Sequence, residues 1–481
     1  MTSFDKPKKQ NVIFMVSDGM GPSSVTLARS FKQQRDHLPF GELLHFDKHL
    51  IGQVRTSSND TLVTDSAAAG TAFSCGLKTY NGGIAVDPFK NPCGTVLEAM
   101  KLDGYLTGLV TTTRITDATP ASLSAHVVSR KQEDSIAEQQ LWEHPFGSIV
   151  DLLIGGGRCH FLPSSVSGGC RKDSRNLVNE AIAKNYTYVS DRAGFDALNN
   201  GKNVSLPLLG LLAPKDIPYD IDRNASVYPS LAETAKTALT ALSKATEKSE
   251  QGFFILIEGA RIDHCGHHQD AAAHVREVLA FDDAFKEVLD FIDSSDVPTI
   301  LVSASDHETG GLGVARQVQP EYPDYLWYPQ VLVNSTHSGE FLIKKVAAKE
   351  KTISSKFDAA AFSGWIAEEI FKKDLGILDY TGQEVRNVRK LATSPDDLLK
   401  YLNNMVSVRS QTGWTTGGHS GGDVSVYAYS NNDYLDTMLY ERGGLLGNVE
   451  NADIATFMAN VANVSLSDVT QLLRDAKKPK A

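Results

Sequence analysis

Three short apolar runs, rich in β-branched residues, end abruptly in acidic or histidine side chains. They are NVIFMVSDG at 11–19, FFILIEGARID at 253–263 and TILVSASDHE at 299–308. Runs of this length, separated by helix-like stretches, are typical of buried strands in a parallel sheet. In open α/β sheets, ligands bind beyond the carboxyl ends of the strands. We therefore predict an α/β fold with a functional site at that edge. The candidate residues there are Asp18, Glu258, Asp263, Asp306 and His307.

One long segment interrupts the alternation of strands and helices. GTVLEAMKL at 94–102 and AAAHVREVLAFDDAFKEVLDFI at 271–292 carry apolar residues at helical spacing, and the second is long enough to cover a sheet face. The stretch 311–410 instead contains aromatic residues and prolines, followed by charged helical sequence. We predict a catalytic domain formed by residues 1–310 and 411–481, with 311–410 inserted as a subdomain.

The composition favours a soluble globular chain and limits its partners. Of 481 residues, 41% are hydrophobic and 22% are charged, and the net charge is -11. A field of this sign repels nucleic acid and anionic membranes, so a small anionic substrate requires a local cationic centre. No apolar run approaches the roughly 20 residues of a membrane helix. Because the opening MTSFDKPKKQ lacks the apolar core of a signal peptide, we expect no targeting segment within this chain.

Cysteines and glycosylation triplets favour an oxidising compartment. At least one of the five cysteines is unpaired, while Cys159 and Cys170 flank a short loop and suit a local disulfide. The N-x-S/T triplets are compatible with the lumen of the secretory pathway, although such triplets also arise by chance. They begin at Asn59, Asn185, Asn203, Asn224, Asn334 and Asn463.

The stretch VTDSAAAGTAF at 63–73 allows two interpretations. Asp65 or Ser66 can cap a helix whose alanines simply favour helical structure. Alternatively, the amides of the first helical turn attract an anion, small residues let a substrate approach, and Ser66 accepts a phosphoryl group. The rest of the chain must decide between them.

Two pairs of side chains have the spacing of metal ligands. Asp263 and His267 are four residues apart and project on the same side of a helix, whereas His268 points elsewhere. Asp306 and His307 are adjacent at a strand end. Imidazole nitrogen and carboxylate oxygen suit zinc. Taken alone, each pair is more often a solvated helix face or a loop cap, and only their shared position at strand ends favours a metal site.

The segment GHSGG at 418–422 matches the nucleophile elbow of α/β-hydrolases, but its context does not. Strand-like sequence follows it, and no histidine occurs after His419. His419, between glycines that allow close approach, is instead available as a metal ligand. His126, His160 and His274 lack a strand-end context, so we interpret them as structural or surface histidines.

The motifs DGMG, TDSAAAGTAF, ITDATPASLSAHVVSRK, EGARIDHCGHH, SDHETGG and GGHSGG occur in an order that resembles the alkaline phosphatase family. They extend from residue 18 to 422 and are jointly very specific. The similarity is greatest to the fungal vacuolar (repressible) enzymes. It implies a three-layer α/β/α sandwich with a mostly parallel central sheet, a crown subdomain near 311–410 and a homodimer. It also implies a vacuolar or secretory location and an N-terminal membrane anchor that this chain does not contain.

The resemblance implies a role for each motif residue. Ser66 is the nucleophile that becomes phosphoserine, and Arg130, ending the helix-like ATPASLSAHVVSR, grips two phosphate oxygens. Arg130 and His264 are the substrate-binding residues. One zinc ion is held by Asp263, His267 and His419, and the second by Asp18, Asp306 and His307. The magnesium ion is held by Asp18, Thr119 and Glu258, with Asp117 acting through water.

The chain departs from the family pattern at one point. Bacterial members usually pair an aspartate at the position of Asp117 with a lysine near the first zinc aspartate, whereas animal members have histidines at both places. This chain combines Asp117 with His264, so the identity of the third metal and the pH optimum stay open.

Together these features predict a phosphate monoester hydrolase of broad specificity that releases inorganic phosphate and an alcohol. Two metal ions stabilise the entering and leaving oxygens of an in-line displacement, and two inversions give net retention. Sulfatases of this fold require a C-x-P-x-R motif, which no cysteine here begins, and diesterases usually use threonine. An inactive metal-binding or storage protein is the alternative from another class, but every zinc-ligand position carries a competent residue.

Overall fold

A computed structural model describes residues 5–352, 356–441 and 443–476. Its centre is a ten-stranded sheet in the order β14-β2-β13-β8-β1-β7-β3-β4-β6-β5. The strands of this sheet are β1 (Asn11–Val16), β2 (Leu50–Arg55), β3 (Leu106–Arg114), β4 (Leu152–Gly156), β5 (Thr187–Val189), β6 (Leu208–Leu211), β7 (Phe253–Glu258), β8 (Thr299–Ala304), β13 (Val424–Ser430) and β14 (Gly447–Glu450). Two short ladders pair β9 (Glu308–Thr309) with β12 (His419–Ser420), and β10 (Leu312–Gly313) with β11 (Gly413–Trp414).

Helices cover both faces of the sheet. They are α1 (Pro22–Arg35), α2 (Ser66–Cys75), α3 (Val96–Leu102), α4 (Ala118–Ser124), α5 (Glu133–Glu138), α6 (Leu177–Ala183), α7 (Arg192–Ala197), α8 (Leu231–Thr246), α9 (Arg261–His267), α10 (Ala271–Ser294), α11 (Gln330–Val333), α12 (Gly339–Glu350), α13 (Lys356–Trp365), α14 (Gly382–Leu391), α15 (Pro395–Ser410), α16 (Asp433–Tyr440), α17 (Asn451–Ala462) and α18 (Leu466–Ala476). Shorter 3-10 turns lie at Phe46–His49 and Arg158–Phe161, and π-helical turns at Gln139–Glu143 and Ile366–Asp374.

The sheet is almost entirely parallel, and β13 alone runs against both of its neighbours. Successive side chains of β1 enter opposite cores. Ile13 and Met15 pack into the core that contains α8 and α10, whereas Val12 and Phe14 pack into the core that contains α3 and α17. Burial on both faces explains why these strands are continuously apolar. The predicted α/β fold with a mostly parallel sheet and flanking helices is confirmed.

The predicted insertion contributes no described residue to the ten-stranded sheet. It begins and ends beside the β10–β11 ladder, in which Gly313 pairs with Gly413. The division into domains stays a prediction, and residues 1–4 and 477–481 of the predicted catalytic domain lie outside the described residues. Among the helices that the structure describes, none combines the length and apolar character needed to cross a membrane.

Candidate metal centre and active site

Three central strands end side by side at one edge of the sheet. Val16 at the end of β1 is in register with Glu258 on β7 and with Ala304 on β8. Asp18 and Asp306 each follow their strand by two residues, so both turn over this edge. The strand-end residues predicted from the sequence therefore lie together, as the geometry of a parallel sheet requires.

A glycine allows the turn after β1 to approach α9 closely. Gly19 has φ +80°, and a Cβ atom added there would lie 2.5 Å from the Cα of Asp263. Only glycine adopts this conformation readily and leaves that space free. Asp263 is thus held directly beside the turn that follows Asp18, with His267 one helical turn further along α9.

The first cluster of candidate ligands contains Asp263, His267 and His419, whose ligand atoms all lie within 4.8 Å of one another. The Nε2 atoms of the two histidines are 3.2 Å apart. The Nδ1 of His267 donates to the carbonyl of Gly417 at 2.8 Å, and the Nδ1 of His419 donates to the carbonyl of Thr64 at 2.7 Å. A neutral ring that donates from Nδ1 presents a bare Nε2, which is the arrangement of metal-bound histidine.

The second cluster contains Asp18, Asp306 and His307. The Nε2 of His307 lies 3.1 Å from Asp306 Oδ2 and 3.7 Å from Asp18 Oδ1. Thr309 fixes this ring, since its hydroxyl donates to Asp263 Oδ1 at 2.5 Å and accepts from His307 Nδ1 at 3.2 Å. The third imidazole therefore also directs Nε2 toward carboxylates, the orientation in which a metal ion would replace a proton on this nitrogen.

Ser66 lies beside the second cluster, with its Oγ 3.2 Å from His307 Nε2. It is the first residue of α2, and Asp65 caps that helix by accepting a hydrogen bond from the amide of Ala68. The capping interpretation is thus correct for Asp65. The residues after Ser66 are fully buried, and Ala67 packs against helix α4. Their small size serves close helix packing and not, as expected, an open approach for substrate.

Glu258, Thr119 and Asp117 lie next to the second cluster. The carboxylate of Glu258 accepts a hydrogen bond from Thr111 at 2.6 Å. Thr119, on α4, faces Glu258, and its buried Oγ1 makes no hydrogen bond of ordinary geometry with the residues described. Asp117 caps α4 through the amide of Ala118.

Asp117 and Asp65 together hold Arg130. The two guanidinium nitrogens of Arg130 lie 3.0 Å from Asp117 and 3.2 Å from Asp65. Behind them, Arg114 binds the second oxygen of Asp117 at 2.7 Å and also pairs with Glu133 and Asp216. Each arginine therefore fixes a different oxygen of one carboxylate.

The prediction that Arg130 ends a helix is wrong. Helix α4 stops at Ser124, and Ala125 is extended with φ -152° and ψ 158°. The chain then forms a β-bridge between Val127 and Ile84. This pairing and the two β-branched valines favour extended structure over helix, so Arg130 reaches the site from a loop.

Buried carboxylates dominate the electrostatics of the site. Burial, together with the nearby Asp117 and Asp306, raises the pKa of Glu258 to about 8, although hydrogen bonds from Thr111 and Thr119 oppose the shift. Burial and the neighbouring carboxylates also raise the pKa of Asp18, whose Oδ1 accepts no hydrogen bond from any described residue. Burial opposes ionisation of Asp263 too, but the surrounding histidines hold its pKa well below its usual value. Such a concentration of buried negative charge is stabilised by bound cations, so the donor set fits divalent metal ions.

His264 follows Asp263 on α9 and is buried. Its Nδ1 accepts a hydrogen bond from Arg261 Nε at 3.3 Å. Burial lowers the pKa of His264, and the positive charge of Arg261 lowers it further. The ring is therefore neutral at physiological pH and carries its proton on Nε2.

Four histidines outside the two clusters differ in environment. His160 pairs with Glu133 and Asp134 near the surface, and His274 is buried against Ser24. His126 and His144 each place Nε2 2.8 Å from one oxygen of the buried Glu98. The amide of Phe146 donates to His144 Nδ1, so the Nε2 of His144 carries the proton. This cluster is therefore a buried network in which both rings contact one carboxylate, and its three ligand atoms lie within 4.8 Å of one another.

Sequence reasoning missed several residues that support the site. Thr309 follows His307 by two residues and Arg114 precedes Asp117 by three, so proximity to a motif was the only available signal.

The disulfide between Cys159 and Cys170 is present as predicted. A second disulfide, which joins Cys75 at the end of α2 to Cys93, was not predicted, and Cys265 is buried and free.

Comparison with known proteins identifies a family with a similar sequence. Residues 9–464 match the sequence profile of the family described as alkaline phosphatase. The chain is 53% identical over 483 residues to the repressible alkaline phosphatase of Saccharomyces cerevisiae, covering 98% of this chain and 84% of that protein. It is 44% identical over 474 residues to the alkaline phosphatase of Schizosaccharomyces pombe, with coverage of 98% and 84%.

A solved structure agrees with the sequence relatives. The cold-active alkaline phosphatase of the psychrophile Shewanella sp. superposes with a TM-score of 0.76 at 30% identity. The superposition covers 94% of this chain and 99% of that chain. Sequence and architecture thus point to the same group of proteins.

Proposed function

This chain belongs to the alkaline phosphatase family of phosphomonoester hydrolases, and we propose that it acts through a phosphoserine intermediate on Ser66 at a centre of two zinc ions and one magnesium ion. The comparisons confirm the family resemblance and the enzyme class predicted from the motifs. The observation that carries the finer proposal is the position of Ser66 Oγ, 3.2 Å from His307 Nε2 and beside two clusters of carboxylates and imidazoles.

The donor atoms of the two clusters and of the adjacent carboxylates would hold the three ions. One zinc ion would be held by Asp263, His267 and His419, and the second by Asp18, Asp306 and His307. The magnesium ion would be held by Asp18, Thr119 and Glu258, with Asp117 contributing through water. When bound, these ions would lower the pKa of the serine hydroxyl and neutralise charge on the leaving oxygen.

Ser66 is positioned for nucleophilic attack by its place in the fold. It is only 3% exposed, and it opens α2 at the end where the helix dipole favours an anion. Its oxygen would bond to phosphorus as the bond to the leaving alcohol breaks. Water would then hydrolyse the phosphoserine, releasing inorganic phosphate and restoring the hydroxyl.

Arg130 would bind the phosphoryl group. Its side chain is 31% exposed although Asp65 and Asp117 hold it, so the five N–H groups of the guanidinium are not all covered. A planar guanidinium donates two parallel hydrogen bonds to phosphate oxygens. The neutral His264 would donate a further hydrogen bond to the phosphate. Because these contacts are made to phosphate, we propose a broad range of monoester substrates.

The family and the exposed residues support further proposals about the cellular location and oligomeric state of this enzyme. All six glycosylation-triplet asparagines are exposed, and two disulfides are present. Both features support an oxidising lumen, and similarity to the repressible enzyme of Saccharomyces cerevisiae supports the vacuole or secretory pathway. We also propose a homodimer and no nucleic-acid partner.

Hydrolysis of p-nitrophenyl phosphate at alkaline pH tests the proposal. We expect activity that a chelator abolishes and that zinc and magnesium restore. Ser66→Ala should lower turnover by at least about a thousandfold, as expected for loss of a covalent nucleophile, with bound metal unchanged. Ser74→Ala, a buried serine at the other end of α2, is the matched control. Parental activity in Ser66→Ala would refute the nucleophile.

A further inference from the structure

A cavity of about 660 Å³ borders the site. One wall is the segment 215–222, a second is α9, and a third is the first two turns of α12, which belongs to the inserted stretch. His264 and His267 on α9 line the cavity, and His267 is also a member of the first cluster. The cavity is thus continuous with the first cluster of ligands.

The direction of the proposed reaction places the leaving group in this cavity. In an in-line displacement, the attacking and leaving oxygens lie on opposite sides of phosphorus. Ser66 approaches from the second cluster, beside His307. The leaving oxygen therefore faces the first cluster, whose member His267 has a side chain that is 37% exposed and lines the cavity.

The first turn of α12 is held firmly at the cavity wall. Ser338 caps the helix, and its own backbone amide donates to Asp222 at 3.1 Å. The next amide, of Gly339, donates to the buried Asp270 at 2.7 Å. Carboxylates at a helix N-terminus stabilise it through hydrogen bonds and the helix dipole, so this turn is fixed in position before any substrate arrives.

An ion pair joins this turn to α9. Glu340 binds Arg261 at 2.7 Å, and the guanidinium of Arg261 also lies over the ring of Tyr219 at 3.7 Å. Lys344 binds the other oxygen of Glu340 at 2.7 Å. Because two cations compensate Glu340, the wall carries no unbalanced negative charge from this residue to repel a phosphate ester.

Phe341 is the exposed aromatic residue of this fixed turn. Its ring lines the cavity and is 37% exposed. His337 stacks on the ring, with centroids 4.1 Å apart and an interplanar angle of 22°. A rigid ring that is supported from one side and open to a cavity is suited to stacking against another flat ring.

We propose that this cavity receives the leaving group of the substrate and that Phe341 stacks on aromatic leaving groups, favouring esters of aromatic alcohols. This proposal rests on the proposed function, because it uses the direction of attack by Ser66. It adds a preference among leaving groups to the binding of phosphate by Arg130.

A matched pair of substrates isolates the ring contact. Benzyl phosphate and ethyl phosphate are both esters of primary alcohols, so they differ mainly in the aromatic ring. We expect the parent enzyme to have the higher kcat/KM for benzyl phosphate. Phe341→Ala should lower that value about fivefold, as expected for one aromatic contact, and should leave ethyl phosphate unchanged. Phe341→Tyr should restore the preference, and Phe89→Ala, an exposed phenylalanine outside the cavity, should keep it.

Binding of benzylphosphonate and ethylphosphonate to the metal-loaded enzyme, measured by calorimetry, tests the same contact without turnover. A selective loss of benzylphosphonate affinity in Phe341→Ala would support the proposal. An equal effect on both ligands, or no effect on either, would overturn it. If the parent hydrolyses neither ester, the proposed function is wrong. The phosphonate measurements then still test whether Phe341 binds an aromatic group in the cavity.

Discussion

The Nε2 atoms of His267 and His419 face each other at 3.2 Å, while both Nδ1 atoms donate to backbone carbonyls. Since both Nδ1 atoms carry protons, a cation bound between the two Nε2 atoms and the nearby Asp263 would take the place of the proton that otherwise separates these nitrogens. We predict that His419→Ala lowers the zinc content by about one ion per chain, because a tetrahedral site with two protein ligands binds weakly. Elemental analysis after dialysis measures this. His160→Ala is the control, and an unchanged zinc content in His419→Ala would contradict the assignment.

Thr309 connects the two clusters through one hydroxyl. It donates to Asp263 and accepts from His307, so it fixes the orientation of one ligand in each cluster. Thr309→Val should weaken zinc binding by about tenfold or more, the usual effect of losing such an orienting hydrogen bond. Competition with a chelator of known affinity measures the change. Thr309→Ser keeps the hydroxyl and should bind zinc like the parent. Equal loss in both variants would indicate a packing role instead.

Arg114 is expected to position Asp117 and, through it, Arg130. Arg114→Gln should lower kcat/KM about tenfold, and it should raise the magnesium concentration needed for full activity, since Asp117 loses its partner at 2.7 Å. Arg114→Lys should recover part of the loss, because lysine restores charge without the planar fork. Arg175→Gln removes another guanidinium with several carboxylate partners and is the control. Unchanged magnesium dependence in Arg114→Gln would contradict this role.

The buried Glu98 should contribute to stability in a pH-dependent way. Burial alone would raise its pKa, but His126 and His144 lower the pKa to about 2. Because the folded-state pKa lies below the unfolded value, the contribution is fully present above about pH 4.5 and is lost as the pH falls toward about 2.

Glu98→Gln should therefore lower the unfolding free energy by about 3 kcal/mol at neutral pH. The difference from the parent should shrink as the pH is lowered through the acid range. Urea unfolding of metal-free protein at several pH values measures this. Glu368→Gln, which removes an exposed partner of Lys372, should leave stability nearly unchanged. A constant difference at every pH would show that the ion pairs do not account for the effect.

The part of the site formed by strand ends was predictable from the sequence. The apolar runs before Asp18, Glu258 and Asp306 identify buried strands, and parallel strands necessarily end at one edge. His419 is different, because it reaches the site through the two-residue strand β12, in which it pairs with Thr309. Flanking glycines in the sequence suggest close approach, but they do not specify this pairing.

Contacts between residues that are distant in sequence explain which features were not predicted and which prediction was wrong. Pairing of Val127 with Ile84 ends the helix before Arg130, and no local pattern in ATPASLSAHVVSR reveals that partner. Similarly, Cys75 and Cys93 are separated by 18 residues, whereas the predicted pair is separated by 11. Arg114 resembles any charged residue at a strand end until Asp117 and Asp216 are seen around it.

The first strand of the described residues, β1, lies at the middle of the sheet. β1 hydrogen-bonds to β7 on one side and to β8 on the other, so neither edge of Asn11–Val16 has a partner until residues beyond Phe253 have been synthesised. During translation this apolar segment therefore stays without its partner strands β7 and β8 until more than half of the chain has been synthesised. Biogenesis of the enzyme should therefore depend on chaperones that shelter the nascent amino-terminal region, and carboxy-terminally shortened products should be recognised as misfolded and degraded.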